Sequence, residues 1–240
     1  MSERLLETED PVEYDKLCED YISLLYEGHS GFISYQPGEK ENAEKDKVFL
    51  TYGEILYPSF NKVLDQMEVT EDDVFYDFGS GVGKVGLQFL LKTPAKKITG
   101  IEANKKRNDV AVKVYAQVKR ELPELFKERK FECLQKNFLE VDVSDATIIY
   151  TCSTLFDENL LADIGKVVDK CPNIRFLFSI PSVKYDYAHI PCKLPKVKVV
   201  EIDCTWDKTK FYVYTLEEIS DEGNIEPKRI DLEPGPEAEA

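Results

Sequence analysis

Six cysteines in 240 residues include no CxxC pair. They stand at 18, 133, 152, 171, 192 and 204, no two closer than 12 residues. That spacing excludes a zinc ribbon and argues against a disulfide framework. No run of 18 apolar residues occurs, which excludes a transmembrane helix. The first residues, MSERLLETEDPVEY, lack an apolar core and do not read as a secretory signal. The expectation is therefore an intracellular protein, cytoplasmic or nuclear, with reduced thiols. Histidine is scarce, at positions 29 and 189, so a dedicated imidazole base is not built in. Tryptophan occurs once, at 206. Positive charge is in deficit: 31 Lys and Arg against 46 Asp and Glu, a net charge of −15.

An acidic surface repels nucleic-acid phosphate and attracts cationic partners. Two readings stay open: simple solubility, or recruitment of a basic, lysine-rich protein. The short basic stretches KTPAKK (92–97) and NKKR (104–107) read as a solvated rim. The Asn/Asp-Pro-Pro-Tyr signature of nucleobase amino methylation is missing. Nucleic-acid binding by the chain alone is not expected, nor a membrane or metal site. Oligomeric state leaves no mark in the sequence.

The chain divides into three segments. Residues 1–68 read as an N-terminal helical extension with a loop before the core, with helical spacing over 13–27 and a second helix over about 53–67. Residues 29–47 read as a polar loop. Residues 69–218 alternate strands (74–78, 97–101, 131–134, 146–150, 174–180, 197–204, 211–216) with helices (83–92, 104–121, 157–169). That pattern predicts a mainly parallel sheet covered on both faces. Only TWDKTK separates the last two strands, so the sheet should close with an antiparallel hairpin. Residues 219–240 read as an acidic disordered tail. The fold class is α/β: a seven-stranded, Rossmann-like sheet of the class I methyltransferase type, by analogy for strand order.

In DFGSGVGK (77–84), Gly79, Gly81 and Gly83 fall where a strand turns into a helix. Glycine there permits positive φ and lets a ligand lie against the backbone. Asp77 ends the first strand, and Glu102 ends the second, 25 residues later. An acid at Glu102 suits both ribose hydroxyls of a nucleoside, whether the cofactor is NAD or S-adenosylmethionine. Asp77 opposes a pyrophosphate but accepts an ammonium, which favours S-adenosylmethionine. Asn137 and Phe138 follow the third strand and can meet adenine, or can be an ordinary strand-end loop.

Several stretches, in order, resemble the disruptor-of-telomeric-silencing methyltransferases, the histone lysine methyltransferases that lack a SET domain. TYGE (51–54) resembles that family's loop over the methionine part of the cofactor. DFGSGVGK resembles its glycine loop, GIEANKKRNDVA (100–111) its ribose segment and NFLE (137–140) its Asp-Phe-Leu. DATIIYTCSTLFDENLLADI (145–164) and SIPS (179–182) resemble its fourth and fifth strand regions, and TWDKTKFYVYT (205–215) its closing hairpin. The resemblance implies that Thr51, Glu54, Asp77, Gly79, Ser80, Gly81, Gly83, Lys84, Glu102, Asn137 and Phe138 hold S-adenosylmethionine. It implies that Tyr52, Cys152, Trp206, Phe211 and Tyr212 face the acceptor. Departures stand at Asn137 for an aspartate, Cys152 and Ser153 for two asparagines, Thr154 for an aromatic and Phe211 for a tyrosine.

The activity so implied is methylation of a lysine amine in a basic protein, a histone among the candidates. A free lysine has a pKa of about 10.4, so its neutral form near pH 7 costs about 4–5 kcal/mol. An apolar channel lowers that pKa by desolvation, and Phe156, Trp206, Phe211 and Tyr212 are candidates to build one. Two alternatives stay open: a class I methyltransferase of small molecules, and a non-catalytic cofactor-binding module.

Overall fold

The strands VFYDF, IIYTC and FLFSI are rich in aromatic and β-branched residues and are almost wholly buried. Strands apolar on both sides need cover on both faces, which helical crossovers supply. The structure, a computed structural model, describes residues 2–33, 52–65, 67–180 and 190–216. Seven strands form one sheet: β1 (Val74–Phe78), β2 (Lys97–Ile101), β3 (Lys130–Leu134), β4 (Ile148–Cys152), β5 (Phe176–Ile180), β6 (Lys196–Asp203) and β7 (Lys208–Thr215). Their order is β3-β2-β1-β4-β5-β7-β6. The first five run parallel, and β7 is antiparallel to both β5 and β6. The α/β fold with a closing hairpin is as the sequence implied.

Six α-helices are described: α1 (Ser2–Glu7), α2 (Pro11–Leu25), α3 (Tyr57–Leu64), α4 (Lys84–Lys92), α5 (Lys105–Glu121) and α6 (Glu158–Lys170). Capping sets several starts. Asp10 accepts from the Val12 N–H, Asn104 from the Arg107 N–H and Asp157 from the Leu160 N–H. The helix expected over 53–67 is shorter. Pro58, in the first turn of α3, has no N–H to donate and suits a helix start, and residues 54–56 pair with the hairpin instead. The fourth strand lies two residues later than expected. The Ala146 N–H donates to the Val143 carbonyl and is spent on a turn, while Thr147 leads into the strand, its N–H donating to the Val74 carbonyl and its hydroxyl to Asp73. The last strand starts at Lys208 rather than 211. Lys208 and Lys210 stand opposite Asp203 and Glu201, and such cross-strand charge pairs favour pairing of a polar tip. Thr51, His189 and the tail expected over 219–240 lie outside the described residues.

Two apolar clusters sandwich the sheet. One holds Phe75, Ile98, Ile148, Tyr150, Phe178 and Phe211 against residues from α1 to α5. The other holds Tyr76, Phe78, Ile149, Leu177, Tyr212 and Tyr214 against α6. The N-terminal helices thus share the core of the sheet. Tyr14 donates to the Leu91 carbonyl at 2.7 Å and Tyr26 to the Val82 carbonyl at 2.8 Å, gripping both ends of α4. Between them Asp15 takes the Lys92 ammonium, Tyr57 and Asn61, and Gln88 ties Asn61 to the Tyr57 carbonyl.

On the opposite face α6 approaches the segment at 190–194 through Gly165. A Cβ there would lie 2.0 Å from the Pro191 carbonyl oxygen, which is backbone and cannot swing aside. Gly165→Ala is expected to lower stability by about 1–3 kcal/mol. Urea denaturation measures this, and an unchanged midpoint would contradict the packing.

Candidate active site

In a strand of a parallel sheet, alternate residues face opposite sides. Asp77 alternates with Phe75 and lies on the α4–α5 side, at the carboxyl ends of the strands, where ligands of open α/β sheets bind. After Phe78 the chain turns through Gly79, Gly81 and Gly83, at φ of 79°, 57° and 86°. L-residues with a Cβ rarely hold these angles. The bend is tied to the next strand: the Gly79 and Ser80 N–H groups both donate to the Ile101 carbonyl, at 2.9 and 3.1 Å. Gly100 allows this approach, since a Cβ there would meet Ser80 Oγ at 2.9 Å.

Glu102 completes the bend. Its Oε2 accepts from the Gly81 N–H at 2.8 Å and its Oε1 from the Asn104 N–H at 2.7 Å. Burial raises its pKa, opposed by the Asn104 N–H, the Arg107 charge and the Gly81 N–H. Asp77 has no such support. It is 1 % exposed, and its Oδ1 is buried without a hydrogen-bond partner. Burial pushes its pKa well above the ordinary carboxylate range, and the nearby Glu102 charge adds to the effect. A buried carboxylate oxygen without a partner is costly. Its position beside a glycine bend fits a ligand that brings a cation there.

Tyr52, Gly53 and Glu54 cover the bend. The Tyr52 hydroxyl donates to Glu54 Oε1 at 2.6 Å, and Lys84 pairs with Glu54 Oε2 at 2.6 Å. The Tyr52 ring lies so close to Gly81 that a Cβ there would sit 2.5 Å from it. Arg107 stacks on the same ring at 4.7 Å and donates to the Gly31 carbonyl. Burial and the Glu54 carboxylate keep the Tyr52 phenol protonated. Trp206, 38 % exposed, rests against Gly53.

The remaining predicted residues divide. Cys152 ends β4 on the Tyr52 side, its thiol pushed up to about 11 by burial and therefore neutral. Phe138 stacks on Phe78 with centroids 4.8 Å apart, and exposed Asn137 caps the short turn Phe138–Glu140 through its side-chain oxygen. Phe211 and Tyr212 do not share a channel, because neighbours on a strand face opposite sides. Phe211 is fully buried between Tyr150 and Phe178 in one cluster, while Tyr212 lies with Phe156 in the other. Phe211 is thus a core residue. The solvated-rim reading of NKKR and KTPAKK also needs correction. Asn104 and Arg107 are buried, as is the Lys92 side chain, each with a fixed partner. Tyr26, Arg107 and Thr205 were not singled out in the sequence. Arg107 was hidden in a charge run, in the first turn of α5.

The family described as "Histone methylation protein DOT1" matches residues 40–179, more than half of the chain. The chain belongs to the DOT1 family. Among curated relatives of this DOT1 protein, a histone-lysine N-methyltransferase, H3 lysine-79 specific, of Caenorhabditis elegans is 27 % identical over 136 residues, 54 % of this chain and 14 % of that protein. A protein-lysine N-methyltransferase of Saccharolobus islandicus (strain REY15A) is 28 % identical over 91 residues, 37 % of this chain and 50 % of that one. The chain therefore spans at most half the length of these two relatives. An RNA methyltransferase from Salinibacter ruber, solved with S-adenosyl-L-homocysteine, aligns with a TM-score of 0.46 and 18 % identity over 70 % of this chain and 97 % of its own.

Proposed function

We propose that this protein transfers a methyl group from S-adenosylmethionine to a lysine amine of a basic protein. The observation that carries the reading is the unpartnered, fully buried Oδ1 of Asp77 beside the glycine bend. The amino-acid end of S-adenosylmethionine carries the ammonium that such an oxygen lacks. When bound, the cofactor supplies a methyl carbon made electrophilic by a sulfonium.

The residues present fit it. At Gly79 nothing lies within 4 Å of where a Cβ would stand, so a ligand can approach the bend closely there, while Ser80, Gly81 and Gly83 complete the turn. Glu102, already fixed by two N–H groups, keeps lone pairs for ribose hydroxyls. Phe138 is held flat by Phe78 and suits an adenine face, with Asn137 at its edge. Glu54 and Lys84 neutralise each other and hold Tyr52 over the bend. Thr51 joins this loop in the proposal.

On the acceptor side, Tyr52, Cys152 and Trp206 present surfaces without ionised groups. Cys152 holds its proton, and so does Tyr52. A lysine arriving there loses water and its pKa falls, which favours the neutral amine. The chain's work is desolvation and alignment rather than proton abstraction. Phe211 supports this surface from below, and Tyr212 supports the hairpin from the far face. The net charge of −15 favours a cationic partner such as a histone, and a nuclear site of action accompanies that substrate.

The test is incubation with tritiated S-adenosylmethionine against free histones, nucleosomes and a cell lysate. Labelled protein is expected, with label on lysine. Label confined to small molecules would replace the acceptor assignment. In the same assay Trp206→Ala is expected to lower methyl transfer about 10- to 100-fold through lost alignment. Donor affinity by calorimetry should stay within about three-fold, since the contacts of Glu54 with Tyr52, Lys84 and Thr205 are left in place. Equal losses in both would make Trp206 a structural residue instead.

A further inference from the structure

We propose that Thr205 is a positioning residue that couples the donor site to the hairpin aromatic Trp206; the proposal rests on the reading that S-adenosylmethionine binds at the glycine bend. Residues 54–56 run antiparallel to 203–205. The Glu54 N–H donates to Thr205 Oγ1 at 3.0 Å, and the Thr205 N–H donates back to the Glu54 carbonyl at 2.8 Å. Ile55 bridges Cys204, and the Leu56 N–H donates to the Asp203 carbonyl at 3.1 Å. The Asp203 N–H in turn donates to Ser59 Oγ at 2.8 Å, so the contact continues into α3.

Glu54 therefore has two allegiances. Its main chain is held by the hairpin through Thr205. Its carboxylate is held by Tyr52 and Lys84, which lie against the bend. Gly53, between them, touches the Trp206 ring, and a Cβ there would lie 2.3 Å from it. A ligand that fixes Tyr52 and Lys84 thus fixes Glu54, and through Thr205 orders the hairpin that carries Trp206. The coupling is reciprocal: an acceptor that orders Trp206 tightens the donor site by the same factor. Donor first, acceptor second is the order of binding this geometry favours.

Because Trp206 is the single tryptophan, its emission reports on the hairpin alone. S-adenosylhomocysteine is titrated into the full chain, with emission and heat recorded separately. The wild type is expected to show an emission shift that tracks the calorimetric isotherm. Thr205→Val keeps the shape and the backbone pair but loses the hydroxyl. Its affinity should fall about five-fold, the size of one neutral hydrogen bond, and most of the emission shift should vanish. Thr205→Ser should restore both. Thr205 is exposed and the Glu54 N–H can turn to water, so the valine variant should melt within a few degrees of the wild type. Binding without an emission shift in the wild type, or a full shift in Thr205→Val, would overturn the coupling alone. Absence of any heat with the wild type would overturn the donor site itself, and the coupling with it.

Discussion

Asp77→Asn should melt higher than the wild type and bind S-adenosylmethionine at least about 30-fold more weakly. The two effects have one cause. In the ligand-free chain the Asp77 carboxyl is buried, with one oxygen unpartnered and Glu102 as a like-charged neighbour. Above pH 4, where the unfolded carboxyl ionises and the buried one resists ionisation, a neutral amide in its place stabilises by about 1–2 kcal/mol, or about 2–8 °C at this chain length. The ammonium of the donor then has no carboxylate, and breaking a desolvated charge pair costs about 2–5 kcal/mol. Acidity adds a signature. The folded chain holds the Asp77 proton to higher pH than the unfolded chain, whose carboxyl ionises near pH 4. Stability from this group is complete below pH 4 and is lost as pH rises toward the folded value. The melting advantage of Asp77→Asn should therefore widen as pH rises above 4. Donor binding to the wild type should strengthen over the same range and release a proton. Scanning calorimetry across pH, with titrations in two buffers, measures both. A variant that melts lower yet binds normally would show that Asp77 is only a structural residue.

Gly81→Arg should abolish detectable donor binding in a chain that still folds. The backbone at Gly81 has φ of 57°, which costs a residue with a Cβ about 1–2 kcal/mol. The larger effect is space. The new Cβ would meet Tyr52 Cε2 at 2.5 Å, before the rest of the arginine side chain is placed. Tyr52 would have to move, giving up its hydrogen bond to Glu54. A positive charge there also opposes the donor's sulfonium and ammonium. Calorimetry on protein with a wild-type circular dichroism spectrum decides the matter; retained affinity would place the donor elsewhere.

The glycine bend and its two flanking acids were legible because their signal is local. Asp77, the three glycines and Glu102 each follow from a strand end or a required backbone angle, and neither depends on distant packing. The sheet was legible for the same reason, through alternation of buried strands with capped helices. The surroundings of the hairpin aromatics were not. Phe211 and Tyr212 are adjacent in sequence, but a strand sends neighbours to opposite faces, so one is core on each side. Arg107 looked like one of several exposed cations until α5 turned it inward onto Tyr52. Residues 54–56 looked helical from their apolar spacing, yet the hairpin edge offered hydrogen bonds that an isolated first turn does not. Thr205 carries no sequence signal at all, because its role exists only once residues 151 positions apart meet.

The grip of α2 on α4 bears on how far the molecule can be trimmed. A fragment opening at the first strand would strip the outer side of α4. The carbonyls of Val82 and Leu91 and the ammonium of Lys92 would exchange fixed partners for solvent. Val82 sits inside the glycine bend itself, so the loss would reach the ligand pocket and not merely the rim. The shortest unit that keeps the bend intact must therefore retain the leading helices, although they contribute no strand to the sheet.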